Sequence, residues 1–154
     1  MGIFDFVRNI GANVLGDGGE EAAAIEKNIT TLLGDRVENL KVDYEDGTVR
    51  IGGTVDSYTT RQKLVLLAGN VKGVEKVNDD ALKVRPQAKP EPEFTFYTIV
   101  KGDSLSKIAK RFYGDASKWP VLFAENREVI QNADLIYPGQ VIRVPEQAGK
   151  ATVS

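Results

Sequence analysis

Neither cysteine nor histidine occurs among the 154 residues. The first absence removes disulfides, thiolate zinc sites, iron–sulfur clusters and cysteine nucleophiles; the second removes imidazole ligands and the base of Ser–His or Cys–His hydrolysis. Carboxylates, lysines, tyrosines, hydroxyls and the backbone remain, a set that favours binding over catalysis, and no enzyme is expected. An excess of one charge is lacking too. Twenty Lys and Arg against 22 Asp and Glu leave a net −2, too little to hold a phosphate backbone, so nucleic-acid binding is not expected. No apolar run approaches the roughly 20 residues that cross a bilayer, so stable membrane insertion is not expected either. The opening MGIFDFVRNIGANVLG carries Asp5 and Arg8, where a secretory signal needs a basic start and an uncharged apolar run. Phe6 stands where a myristoylation pattern wants Ser or Thr. The chain is therefore expected to be unprocessed and cytoplasmic.

At roughly 150 residues per domain, the length allows one domain or two small ones. Arg85-Pro-Gln-Ala-Lys-Pro-Glu-Pro-Glu93 holds three of the six prolines with alternating charge and no large apolar side chain, a semi-rigid linker composition. Residues 1–93 carry 12 basic and 16 acidic side chains, net −4, and residues 94–154 carry 8 and 6, net +2. Eight of the twelve aromatics follow the linker, so the smaller half has the richer supply of bulky core. The expected division is 1–19, an N-terminal helix and glycine-rich joint; 20–85 and 94–147, two domains flanking a linker at 86–93; and a tail at 148–154.

Ile3, Phe4, Val7, Ile10 and Val14 recur at three- and four-residue spacing and predict an amphipathic helix, which, being short, must dock on something to persist. Gly16-Asp17-Gly18-Gly19 ends it. Ala22, Ile25, Ile29, Leu32 and Leu33 fit a second helix stopped by Gly34. Leu40, Val42 and Tyr44 alternate before Glu45-Asp46-Gly47, and Val49 and Ile51 continue the alternation, as a hairpin with an Asp-Gly turn should. Gly52-Gly53 suggests a bulge or close backbone approach. Asp56 or Ser57 can cap a helix over 59–68 that Gly69-Asn70 stops, and a last strand ends near Val84. After the linker come a strand at Phe96–Val100, a turn whose Ser104 can cap the helix Leu105–Phe112, a second helix from Trp119 to Asn126, and a returning strand before Pro145.

The order helix, strand, strand, helix, strand, with Val49-Arg50-Ile51-Gly52-Gly53-Thr54-Val55 and Gly69-Asn70-Val71-Lys72-Gly73-Val74-Glu75-Lys76-Val77, resembles a BON domain. Tyr97-Thr98-Ile99-Val100-Lys101-Gly102-Asp103-Ser104-Leu105 and Ile136-Tyr137-Pro138-Gly139-Gln140-Val141-Ile142-Arg143-Val144-Pro145, with Asn126 between, closely resemble the two ends of a LysM domain. The fold these resemblances imply is α+β: an N-terminal helix, an αββαβ BON domain, then a βααβ LysM domain. LysM domains bind N-acetylglucosamine polymers such as peptidoglycan. That resemblance implies one groove wall at Gly102, Asp103, Ser104 and Leu105 and another at Asp134, Leu135, Ile136, Tyr137 and Pro138, although an unexported protein would not meet the wall. As a whole the chain, from its Met1-Gly2-Ile3-Phe4-Asp5-Phe6-Val7 onward, is similar to a family of small bacterial cytoplasmic potassium-binding proteins. That implies a K⁺ binder and sensor using backbone carbonyls; its downstream protein partner is marked by no motif.

Other chemistry fits less well. Asp79 and Asp80 are neighbours on a strand, so their side chains leave on opposite faces, and Asp103 occupies a turn; neither makes an acid–base pair. Asp43-Tyr44-Glu45-Asp46-Gly47 fails the calcium-loop spacing, because Val42 falls at the first ligand position. K⁺ is large and weakly hydrated, and neutral carbonyls can replace its water, whereas clustered carboxylates favour Ca²⁺ or Mg²⁺. The last turn of a helix leaves carbonyls unpaired with a partial negative charge. Two such ends are expected, before Gly11 and around Gly69 to Val74. Guided chiefly by the family resemblance, the carbonyls of Val7, Ile10, Gly69, Val71 and Val74 are the expected K⁺ ligands, with the LysM domain closing over them.

Overall fold

In a computed structural model, residues 3–6, 20–86, 89–91 and 93–146 are described. The chain divides into two compact units, Met1–Pro90 and Glu91–Ser154.

In the first unit, helix α1 (Glu21–Leu33) buries Ile25, Ile29 and Leu33, four residues apart, and Gly34 ends it at φ +58°. Strands β2 (Val37–Glu45) and β3 (Thr48–Val55) form the expected hairpin. Asp46 and Gly47 both take positive φ, 46° and 83°, the backbone of a turn whose twist matches its strands. Gly53 lies opposite an irregular stretch of β2: at φ +134°, a Cβ there would lie 2.8 Å from the Glu38 carbonyl oxygen. The close approach expected at Gly52-Gly53 is thus real. Ser57 caps helix α2 (Tyr58–Gly69), its hydroxyl accepting the Thr60 N–H at 3.1 Å. Strand β4 (Lys76–Val84) then runs parallel to β3. Both helices pack on this sheet and on each other, around Val42, Val49, Ile51, Val55, Leu64, Val65, Leu66 and Val77. Asp79 and Asp80 face opposite ways as expected: Asp79 is 1% exposed and ion-paired to Arg61 of α2 at 3.0 Å, while Asp80 is at the surface.

The opening residues correct the expected N-terminal helix. Ile3–Asp5 is a strand, β1, antiparallel to β4 with Phe4 opposite Val77, and the sheet order is β1-β4-β3-β2. Ile3, assigned above to the helix's apolar face, is 58% exposed, and Phe6, absent from that face, is buried. Here the unpaired edge of β4 supplies partners that an isolated helical turn lacks, so tertiary pairing overrides a three–four spacing that is also compatible with alternation. The remainder of the expected helix lies outside the described residues.

In the second unit β5 (Phe94–Thr98) pairs antiparallel with β6 (Val141–Pro145), starting and ending two residues earlier than expected. Ser104 caps α3 (Leu105–Tyr113), and Gly114 at φ +76° ends it. A short 3-10 turn leads to α4 (Trp119–Glu125), with Pro120 in its first turn, where a missing N–H costs nothing. Asn126, fully buried, joins α4 to β6: its Nδ2 donates to the Leu122 and Arg143 carbonyls at 2.9 and 2.8 Å, and its Oδ1 accepts the Arg143 N–H at 2.9 Å. Arg143 is itself buried, its guanidinium donating to the Glu125 carbonyl and carboxylate at 2.6 and 2.9 Å.

Candidate functional site

The α2–β4 connection, residues 69–75, is tied to its neighbours by several backbone hydrogen bonds. Helix α2 ends at Gly69; Asn70 N–H still reaches the Leu66 carbonyl at 2.8 Å. Among the described residues no backbone N–H reaches the carbonyls of Leu67, Ala68 or Gly69, so the negative end of the helix dipole is concentrated here. The loop then turns on itself: Val74 N–H donates to the Val71 carbonyl at 3.0 Å, Gly73 adopts φ +105°, and Val71 and Val74 are fully buried.

Two neighbours hold this loop. On one side is the β2–β3 hairpin, where the Tyr44 hydroxyl donates to the Gly73 carbonyl at 3.0 Å and the Gly47 carbonyl accepts the Glu75 and Lys76 N–H groups at 2.8 and 3.1 Å. On the other is the residue after β1: Phe6 N–H donates to the Glu75 carbonyl at 2.8 Å, and the Phe6 ring lies so close to Gly69 that a Cβ there would overlap it. Of the five expected carbonyl ligands, Gly69, Val71 and Val74 are buried residues of this one short connection, whose Lys72 is exposed. Val7 and Ile10 lie outside the described residues. The Val71 carbonyl already takes one hydrogen bond, which leaves its second lone pair.

Sequence reasoning missed Phe6, Tyr44 and Gly47 as parts of this arrangement. Phe6 carried a readable signal, alternation with Phe4. Tyr44 carried none, since its partner is 29 residues away. The donor set also bears on which ion fits. Among the described residues no group of three or more His, Cys, Asp or Glu could hold a metal ion, whereas neutral carbonyls at a helix C-terminus suit a large monovalent cation.

The two walls expected for a glycan lie at one end of the β5–β6 ladder: Ile99 N–H donates to the Gln140 carbonyl at 2.8 Å and Gly139 N–H to the Ile99 carbonyl at 2.7 Å. On the first wall the polar side chains are already engaged. The Asp103 carboxylate accepts the Tyr97 hydroxyl at 2.5 Å and the Val100 N–H at 2.9 Å, Ser104 caps α3, and Leu105 belongs to the core. Burial would raise the Asp103 pKa, but the bonds from Tyr97 and Val100 and the charges of Arg111 and Lys107 outweigh it and lower it. Gly102 is exposed, and its carbonyl accepts Lys107 Nζ at 3.1 Å. The second wall is more open: Asp134 and Pro138 are exposed, Leu135 is 68% exposed, and Ile136 and Tyr137 are half-buried.

Residues 21–86 match the BON domain family and residues 97–145 the LysM domain family. The chain is 31% identical over 153 residues to the potassium binding protein Kbp of Escherichia coli, covering 96% of this chain and 100% of that one. It is 34% identical over 137 residues to an uncharacterized protein of Deinococcus radiodurans, 82% of this chain and 53% of that one. A third similarity, to an esterase of Mycobacterium tuberculosis, is 51% identical over 51 residues but spans 33% of this chain and 11% of the esterase.

Proposed function

We propose, from the premise that this chain belongs to the family of the potassium binding protein Kbp, a BON domain followed by a LysM domain, that it binds K⁺ through main-chain carbonyls and acts as a cytoplasmic potassium sensor. The observation that carries the proposal is the similarity to Kbp over that protein's whole length. The ligands are the carbonyls of Gly69, Val71 and Val74, with Val7 and Ile10 completing the set. In support, three of these residues are buried in the short connection at the negative end of α2, and Phe6, the residue before Val7, lies against Gly69. Neutral oxygens can replace the water of K⁺ without the charge density that would favour a divalent ion. Binding opposes the entropy of ordering the N-terminal segment and joining the two domains, so occupancy is read out as compaction.

Isothermal titration with KCl and with NaCl at matched ionic strength tests this. Heat with K⁺ and much less with Na⁺ is expected; equal heats, or none with K⁺, would remove the proposal.

The LysM match and the exposed Leu135 loop favour a second reading, binding of peptidoglycan or another N-acetylglucosamine polymer through the end of the β5–β6 ladder. Retention on purified peptidoglycan together with an envelope location in cell fractionation would reverse the ranking.

A further inference from the structure

The hairpin tip is bound to the loop at both ends, and one peptide plane links it to a proposed ligand. The Gly73–Val74 peptide carries the Gly73 carbonyl on one edge and the Val74 N–H on the other, and a trans peptide holds the two rigidly opposed. The first accepts the Tyr44 hydroxyl at 3.0 Å; the second donates to the Val71 carbonyl at 3.0 Å. Gly73, at φ +105°, has no side chain to resist rotation of that plane. The half-buried Tyr44 hydroxyl therefore restrains a plane that glycine leaves free, and the plane restrains Val71.

We infer that Tyr44 is a positioning residue of the potassium site. It touches no ion; it fixes the Gly73–Val74 peptide so that the Val71 and Val74 carbonyls keep the spacing a K⁺ ion requires, and it turns the Gly73 carbonyl out of the ligand set. The inference rests on the proposal that this loop binds K⁺. It also gives the Asp43-to-Gly47 hairpin a role beyond that of a turn, since the Gly47 carbonyl fixes Glu75 and Lys76 while Tyr44 fixes Gly73.

The test compares Tyr44→Phe with the unaltered full-length chain in KCl, RbCl and NaCl titrations at constant ionic strength. Loss of one hydrogen bond to a soft peptide plane is expected to weaken K⁺ binding about fivefold and to narrow the K⁺-to-Na⁺ affinity ratio. A hydroxyl that merely stabilises the fold would lower the melting temperature in potassium-free buffer and leave that ratio unchanged. If the unaltered chain binds K⁺ and Y44F binds with the same affinity and ratio, the role of Tyr44 is overturned while the potassium site stands. If the unaltered chain gives no heat with K⁺, both fall. A second measurement needs no variant: with carbonyl-¹³C glycine incorporated, KCl should move the Gly69 carbonyl resonance more than that of Gly73. The reverse order would overturn the inference.

Discussion

Gly69 shows how much one missing methyl group decides. As a helix-stop residue it needs no explanation beyond its position, yet its φ is not in the left-handed region; what excludes a side chain is the Phe6 ring lying over it. Gly69→Ala is expected to destabilise the protein by about 1–3 kcal/mol, the usual cost of forcing extra volume into a packed contact, measured by urea unfolding. Adding Phe6→Ala should make the two losses clearly less than additive, because both changes act on one contact. Tyr113 presents the opposite case. Among the described residues its buried hydroxyl has no hydrogen-bond partner, and burial, reinforced by the Glu125 carboxylate and partly offset by Arg143, pushes its pKa up to about 12. A folded-state pKa above the unfolded value near 10 means that the ring costs the fold nothing through ionisation below about pH 10 and lowers its stability as the pH rises from about 10 through about 12. Tyr113→Phe should therefore remove the highest-pH step of a phenolate absorbance titration and flatten the fall in melting temperature above pH 10. At neutral pH it should be neutral or stabilising by up to about 1 kcal/mol, since an unpartnered hydroxyl is removed.

Strand β1 is the element on which the expected and observed structures part. It pairs with only three residues of β4, and the ion pair of Asp5 with Lys76 at 3.0 Å is exposed on both sides, so that pair contributes about 0–1 kcal/mol. Phe6 is the only buried residue among the described residues 3–6. Phe6→Ala should cost about 3 kcal/mol or undock the strand outright, seen as faster amide exchange at residues 4–6, whereas Asp5→Asn should cost less than about 1 kcal/mol. If the segment also completes the ion site, deleting residues 1–11 should abolish K⁺ heats; unchanged affinity would show that it does not. Most elements were legible because local rules fix them: Ser57 and Ser104 as caps, Gly34 as a stop, Asp46-Gly47 as a turn. β1 was not legible, because a strand this short is decided by the edge it joins. That Gly69 ends α2 was legible from its stop position, but the hold of Tyr44 on the following loop was not. Its hydroxyl looks like any alternating strand tyrosine until the fold brings Gly73 to it.

At the scale of the whole chain, net charge and the proposed compaction make opposing demands. The segment through residue 93 carries −4 and the remainder +2, a weak attraction that is largely screened beyond about 8 Å at physiological ionic strength. A K⁺ bound within residues 1–93 would change the charge of that segment from −4 to −3 and weaken that attraction further. If occupancy brings the domains together, the cause must be the ordering of chain around the ion and the apolar surface thereby buried, not long-range charge. Compaction driven that way should survive salt. Small-angle scattering is expected to give a smaller radius of gyration in about 100 mM KCl than in NaCl of equal ionic strength, and the difference should persist when about 0.5 M choline chloride is added, where the screening length falls to about 4 Å. A difference that vanishes with added choline chloride would assign the compaction to charge, and equal radii in KCl and NaCl would separate ion binding from any change of shape.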